Sequence, residues 1–244
     1  YTTLFRSRTG AIFTDITSKT GVNYKHNETF FNDFAFQRLL PQKYSQSGPF
    51  ISVGDVNGDD IEDFFVGGAF NQSGEIFIQK SDGQFAGKKL ITGKKYEEDI
   101  GSALFDADGD KDLDLLVAGG STEFEKGSPF YRPQVYLNDA KGNFALSKNA
   151  INETINTSAS CVVPCDYDND GDMDVFIGGR VSLEFPIPSR SYILQNNNGV
   201  FTDVTKIVSE NLSYPGMVTA AVWTDFNAGS RSEERRVGKE CRSR

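Results

Sequence analysis

Hydrophobic positions along the chain fall in short blocks rather than in long amphipathic stripes. Three blocks, Phe64-Phe65-Val66, Leu115-Leu116-Val117 and Val175-Phe176-Ile177, are continuous apolar runs closed by the glycine pairs Gly67-Gly68, Gly119-Gly120 and Gly178-Gly179. Apolar on consecutive positions and stopped by glycine, such a run predicts an inner strand buried on both faces and ended by a turn. Later blocks, Ile76-Phe77-Ile78, Gln134-Val135-Tyr136-Leu137 and Tyr192-Ile193-Leu194, each lead into a Gly or Asn turn and a phenylalanine: SDGQF at Phe85, AKGNF at Phe144 and NNNGVF at Phe201. That order predicts a hairpin.

The blocks repeat as units. Each unit opens on an acidic segment: DVNGDDIEDFFVGG from Asp55, DADGDKDLDLLVAGG from Asp106, DYDNDGDMDVFIGG from Asp166, and the start of a fourth in WTDFN, with its first acid at Asp225. RTGAIF, ending at Phe13, supplies an earlier phenylalanine landmark, and FTDIT (Phe13 to Thr17) matches FTDVT (Phe201 to Thr205) nearly residue for residue. Units of about 50 to 60 residues, each reading strand, loop, strand, turn, strand, suit an all-β propeller of four-stranded blades better than a solenoid of shorter repeats. We therefore expect a β-propeller fragment over residues 1–230, with about three full blades and partial ones at either end. The segments Asn27 to Ser47, Ser121 to Arg132 and Ser182 to Arg190 are longer insertions, expected together on one face where recognition occurs.

Composition narrows the chemistry. The chain has 244 residues with 34 acidic against 25 basic side chains, a formal charge of -9. That balance argues against a phosphate backbone as partner and in favour of cations. No apolar run approaches the ~20 residues needed to span a bilayer, so no transmembrane segment is expected. The last residues, RSEERRVGKECRSR (231–244), share no pattern with the repeat and are read as an adaptor-derived artefact; without this basic tail the chain is more acidic still. It opens at Tyr1 with no export signal and is expected to be a fragment. In CVVPC, an extended chain would hold the Cα atoms of Cys161 and Cys165 about 13 Å apart, which favours two buried free thiols, although a turn at Pro164 would allow a bridge.

The acidic segments share the spacing D-x-[DN]-x-D-x-x-x-D. Carboxylates at the first, third and fifth positions of a curled loop repel one another unless a cation lies between them. Calcium, which takes about six to eight oxygens, fits such a loop. Side-chain donors are expected from Asp55, Asn57, Asp59 and Asp63; from Asp106, Asp108, Asp110 and Asp114; and from Asp166, Asp168, Asp170 and Asp174. Position seven is Ile61, Asp112 or Asp172, and since isoleucine offers only its main chain, a carbonyl donor is assigned there. Gly58, Gly109 and Gly171 permit the curl. EF-hand and dockerin-type loops begin alike, but they close with an acid at position twelve between helices. Here the acid stands at nine and a β-run follows. One histidine and no neighbouring thiol pair leave no zinc set, and magnesium prefers fewer protein ligands. The alternative is a set of Asp-rich turns solvated without metal; three at matching places weigh against it.

These loops, with the apolar-Gly-Gly strand after them, resemble the FG-GAP/VCBS repeat, the calcium-bearing blade of the integrin α-subunit propeller and of many bacterial exported proteins. The resemblance covers roughly Ser52 to Asn227. The leading FTDITSKTGVNYKHN and GPFISVGDVNGD are similar to bacterial VCBS-repeat proteins that often end in an ASPIC/UnbV domain, related to cartilage acidic proteins. It implies about three calcium ions, each tying a loop to its blade, and an extracellular, periplasmic or cell-surface location. Asn57 departs from the pattern and lowers the charge of the first loop.

No catalytic constellation is visible. His26 stands alone, without a nucleophile elbow, and the obvious acids are committed to cation loops. The expected function is a non-enzymatic calcium-binding propeller module engaged in adhesion or in binding protein or glycan. The alternative is a propeller domain of an extracellular polysaccharide-active lyase or hydrolase.

Overall fold

The computed structural model describes residues 13–224. The fourth acidic segment beginning at Asp225, most of the leading RTGAIF and the whole 231–244 tail therefore lie outside the described residues. Within them the chain forms three four-stranded antiparallel sheets. The first holds β1 (Ile51–Gly54), β2 (Asp63–Val66), β3 (Glu75–Gln79) and β4 (Phe85–Lys89); the second β5 (Asp99–Phe105), β6 (Asp114–Gly119), β7 (Gln134–Leu137) and β8 (Ala145–Ser147); the third β9 (Ala159–Cys165), β10 (Asp174–Gly179), β11 (Tyr192–Asn197) and β12 (Val200–Asp203). Each is a simple meander in chain order, so each repeat unit is one sheet. The first strand of every sheet, just before its acidic loop, has no distinctive pattern in the sequence. The apolar-Gly-Gly run is the second strand, paired on both sides.

The sheets pack face to face. Successive side chains of a strand point to opposite faces, and β6 divides its residues accordingly. Leu115 and Val117 join Val56, Phe65 and Ile76 of the first sheet, whereas Leu116 and Ala118 join Val175, Ile177 and Leu194 of the third. Strand β5 lies beside both β1 and β9, so the first strands line one side of the stack. Leu115, Leu116, Val175 and Ile177 have no solvent exposure, and each such burial stabilises the fold by roughly 1.5–3 kcal/mol. This is a propeller-like arc of blades, with no closed ring among the described residues. Its leading edge is open: Ile51 and Val53 on β1 are 61% and 62% exposed, although their counterparts on β5 are mostly buried.

The glycine pairs do something other than turn. Gly68 and Gly119 do not have positive φ. A Cβ on Gly68 would stand 2.1 Å from the Gln72 carbonyl, and one on Gly119 2.3 Å from that of Phe130. The strand end is glycine because returning backbone passes against it. A buried clasp sits there between the first two sheets: Asp99 pairs with Lys95 at 3.0 Å and accepts from the Gly68 amide at 2.8 Å.

FTDIT and FTDVT fold alike. Asp15 and Asp203 each accept the amide two residues on, Thr17 or Thr205, at 2.9 and 3.0 Å. A short helix begins at that threonine in both copies, α1 (Thr17–Thr20) and α3 (Thr205–Ser209). The three insertions converge on one side of the sheets, as expected. Asp33, in α2 (Asp33–Phe36), accepts from Ser45 and from Thr122 of the second insertion. Gln37 accepts the Phe185 amide of the third at 3.0 Å, and Lys126 pairs with Glu184 at 2.8 Å. Cys161 is a free thiol, whereas Cys165 is disulfide-bonded, so the two do not pair and the expectation of two free thiols fails at Cys165. Both lie on β9, whose extended backbone keeps them apart.

Candidate metal centre

Each acidic loop joins the first strand of its sheet to the second, and its local structure follows from the nine-residue spacing. The first aspartate curls the loop. Asp55 Oδ1 accepts the amides of Asn57, Gly58 and Asp59, and Oδ2 that of Asp60, at 2.8–3.3 Å. Asp106 accepts from Gly109 and Lys111, and Asp166 from Asp170 and Gly171. Positions four and six are left-handed in every loop: Gly58 and Asp60, Gly109 and Lys111, Asn169 and Gly171. Glycine thus serves the curl, as the sequence implies, but only at one of the two left-handed positions in each loop. Asp60, Lys111 and Asn169 hold the other despite a cost of roughly 1–2 kcal/mol outside glycine.

The ninth aspartate is a staple. Asp63, Asp114 and Asp174 have 0–1% exposure. One oxygen of each accepts the amide of the loop's second residue, Val56, Ala107 or Tyr167, at 2.9–3.2 Å. The other accepts the amide ending the third strand, Gln79, Asn138 or Asn196, at 2.7–2.8 Å. One carboxylate therefore joins the loop to the far side of its own sheet.

Around this frame the second and third loops bring three carboxylates together. Asp106, Asp108 and Asp114, and likewise Asp166, Asp168 and Asp174, each offer an oxygen within 4.8 Å of the other two. Among the described residues these are the two groups of His, Cys, Asp or Glu with that spacing. The fifth-position aspartates, Asp110 and Asp170, instead accept the amides of Asp112 and Asp172 at 3.0 Å. The seventh-position side chains turn to the hairpin: Asp172 accepts the Asn198 amide at 3.0 Å, and Asp112 is held by that of Ala140. Asp112 Oδ1 is nonetheless buried without a hydrogen-bond partner. The first loop forms no such triad. Asn57 donates to Asp59 at 3.0 Å, so Asp59 is tied down by an amide, and Ile61 has no side-chain donor.

Electrostatics separate the loops at the third position and not at the ninth. Burial, and then the charge of Asp110 or Asp170, raises the carboxyls of Asp108 and Asp168. Burial raises the ninth carboxyl of every loop against the pull of its two amide donors, Asp63 included, and pushes Asp114 up to about 6 and Asp174 up to about 7. In Asp55 burial acts upward too, but four backbone amides outweigh it and hold the carboxyl below its ordinary value. The donor set could hold a cation. All donors are hard oxygens, and Asp168 Oδ1 is buried with no hydrogen-bond partner.

The asparagine ending the third strand carries a second role that sequence reasoning did not find. Asn138 Nδ2 donates to the Val56 carbonyl in the first sheet's loop at 2.7 Å, and Asn196 Nδ2 to the Ala107 carbonyl in the second's at 2.8 Å. The first and second acidic loops are thus each gripped by the next sheet. The available signal was an asparagine at matching places in YLN and LQN. His26 is not near the loops; its Nε2 meets Glu28 at 2.7 Å.

No helix among the described residues is long and apolar enough to cross a membrane. No curated protein sequence matches the chain. A family model of the FG-GAP-like repeat matches residues 51–117 and 120–177, ending inside the third acidic sheet. With half the chain matched, and with each repeat folded as one antiparallel sheet around its acidic loop, this chain belongs to the FG-GAP-like repeat family.

Proposed function

We propose that the chain is a calcium-stabilised binding module of a secreted or cell-surface protein, engaging a protein or glycan ligand without catalysis. The observation that carries the calcium reading is the pair of three-carboxylate groups at matching places in consecutive blades, one of them with the orphaned Asp168 Oδ1. Asp106, Asp108 and Asp114 would hold one ion and Asp166, Asp168 and Asp174 another, helped by the main chain of Asp112 and Asp172. A third, weaker site in the first loop would use Asp55, Asn57, Asp59 and Asp63. Loops of this kind that bind in the millimolar range suit extracellular calcium. The ion would neutralise the loop and hold it in the shape the next blade grips.

Ligand engagement is read onto the side where the three insertions converge. There Ser121, Lys126, Tyr131, Arg190, Tyr192 and Tyr214 help line a cleft of about 290 Å³ between the second and third insertions. Tyrosines with hydrogen-bonding hydroxyls and a guanidinium 4.4 Å from the Tyr192 ring centre suit a sugar face or a peptide side chain. Thermal unfolding with millimolar calcium and with chelator tests the first part, since a ligand of the folded state alone raises the midpoint. An unchanged midpoint refutes it. Incubation with a panel of polysaccharides tests the second part: retention without new unsaturated or reducing ends agrees with binding, and new ends refute a purely binding role.

A further inference from the structure

At the ends of the sheets opposite the acidic loops, three glutamates from separate segments meet. Glu98 immediately precedes β5, Glu123 follows β6 within the second insertion, and Glu28 comes from the first insertion. β5 is seven residues long, so this place lies about 20 Å from the loop at its other end. Glu98 is 1% exposed, and neither of its carboxylate oxygens has a hydrogen-bond partner. Glu28 Oε2 and Glu123 Oε2 are buried and unpartnered as well. Glu98 nevertheless lies within hydrogen-bonding reach of both other carboxylates.

Nearby donors are engaged elsewhere. The Lys95 ammonium is taken by Asp99 at 3.0 Å and by the carbonyls of Gly68 and Glu97. His26 holds the other oxygen of Glu28. Tyr131 donates to the Phe124 carbonyl at 2.9 Å, and the hydroxyls of Ser45 and Thr122 are spent on Asp33. Four buried carboxylate oxygens facing one another without a donor are strongly unfavourable unless something positive joins them.

We propose that Glu98, Glu28 and Glu123 bind a divalent cation, separate from the loop sites, that locks the first insertion to the second blade. The all-oxygen donor set selects calcium or another hard ion over zinc or copper. The three side chains do not share the mutual 4.8 Å spacing of the loop groups. Ion capture therefore includes a rotation of Glu28 or Glu123 toward Glu98, which both long side chains permit. Asp33, held by Ser45 and Thr122, already docks the insertion beside the site, so the ion would tighten a contact that is present without it.

The test is calorimetric calcium titration of the chelator-stripped full chain, comparing wild type with Glu98→Gln. The amide keeps the shape of the carboxylate, removes a charge and supplies a donor to its neighbours. Loss of one bound ion in Glu98→Gln is expected, and loss of two in the Glu98→Gln, Asp108→Ala double variant. Should Glu98→Gln not fold, Glu123→Gln is read in the same way. Unchanged stoichiometry in the folded variant overturns the proposal and means that protons alone settle the cluster. The loop reading is judged separately by Asp108→Ala and Asp168→Ala, so either claim can fail while the other stands.

Discussion

The first acidic loop and the two that follow share a fold but not a charge balance. In the first, Asn57 gives Asp59 a hydrogen-bond donor and Asp55 gathers four amides, so the loop largely satisfies itself. In the second and third, Asp108 and Asp168 can donate nothing and stand against Asp110 and Asp170, which raises them beyond the effect of burial. One side-chain amide thus separates a loop that keeps its shape unaided from two whose carboxylates converge on a common point. The staple at position nine is identical in all three. Loop shape and carboxylate convergence are therefore separable properties of a single motif.

The largest effect should come from what the loops share. Asp63→Ala, in the loop without a triad, leaves two buried amides unpaired and should cost about 4 kcal/mol in denaturant unfolding. Measured in chelator, that loss should match the one from Asp114→Ala or Asp174→Ala, and a much smaller loss in Asp63→Ala alone would break the shared-staple account. Next comes the effect that divides them. Asp108→Ala and Asp168→Ala should each abolish one calcium site, worth about 2.7 kcal/mol at calcium about 100-fold above Kd, and each should lower the calorimetric stoichiometry by one. Asn57→Ala should leave the ions at the second and third loops in place. Equal calcium losses in all three variants would erase the distinction.

Smaller shifts sharpen it further. Asn138→Ala and Asn196→Ala remove the grip of one sheet on the preceding loop, and each should lower stability by about 1.5 kcal/mol. Asn57→Asp converts the first loop to the pattern of the others. Its stability in chelator should fall by about 1 kcal/mol as a donor becomes a like charge, and added calcium should restore it. Thermal midpoints with and without calcium decide this, and a variant indifferent to both conditions would show that Asn57 is not the deciding residue.

Much of this architecture is written in local pattern. The period of the acidic segments, the apolar runs after them and the phenylalanine turns marked three sheets, because alternation and turn chemistry act between neighbours in the chain. The division of β6 between two interfaces follows from the same arithmetic, since a strand apolar at Leu115, Leu116 and Val117 has two faces to bury. The nine-residue spacing likewise located the loops and named Asp106, Asp108, Asp114, Asp166, Asp168 and Asp174 among the candidate ligands, and these are the carboxylates that the fold brings together, because consecutive short-range geometry sets which carboxylates can meet.

Three things were decided only by the tertiary structure. The first strands, such as Ile51–Gly54, are strands because β2 and the next sheet lie beside them; nothing in their own residues requires it. The glycine pairs end strands through contacts with backbone from elsewhere, as Gly119 does with Phe130, and a sequence does not reveal what comes near it. Above all, Glu28, Glu98 and Glu123 are scattered acids in the chain and neighbours in space. Chain proximity sets backbone conformation and local charge, whereas the pairing of distant polar groups depends on which surfaces the packed sheets leave facing one another.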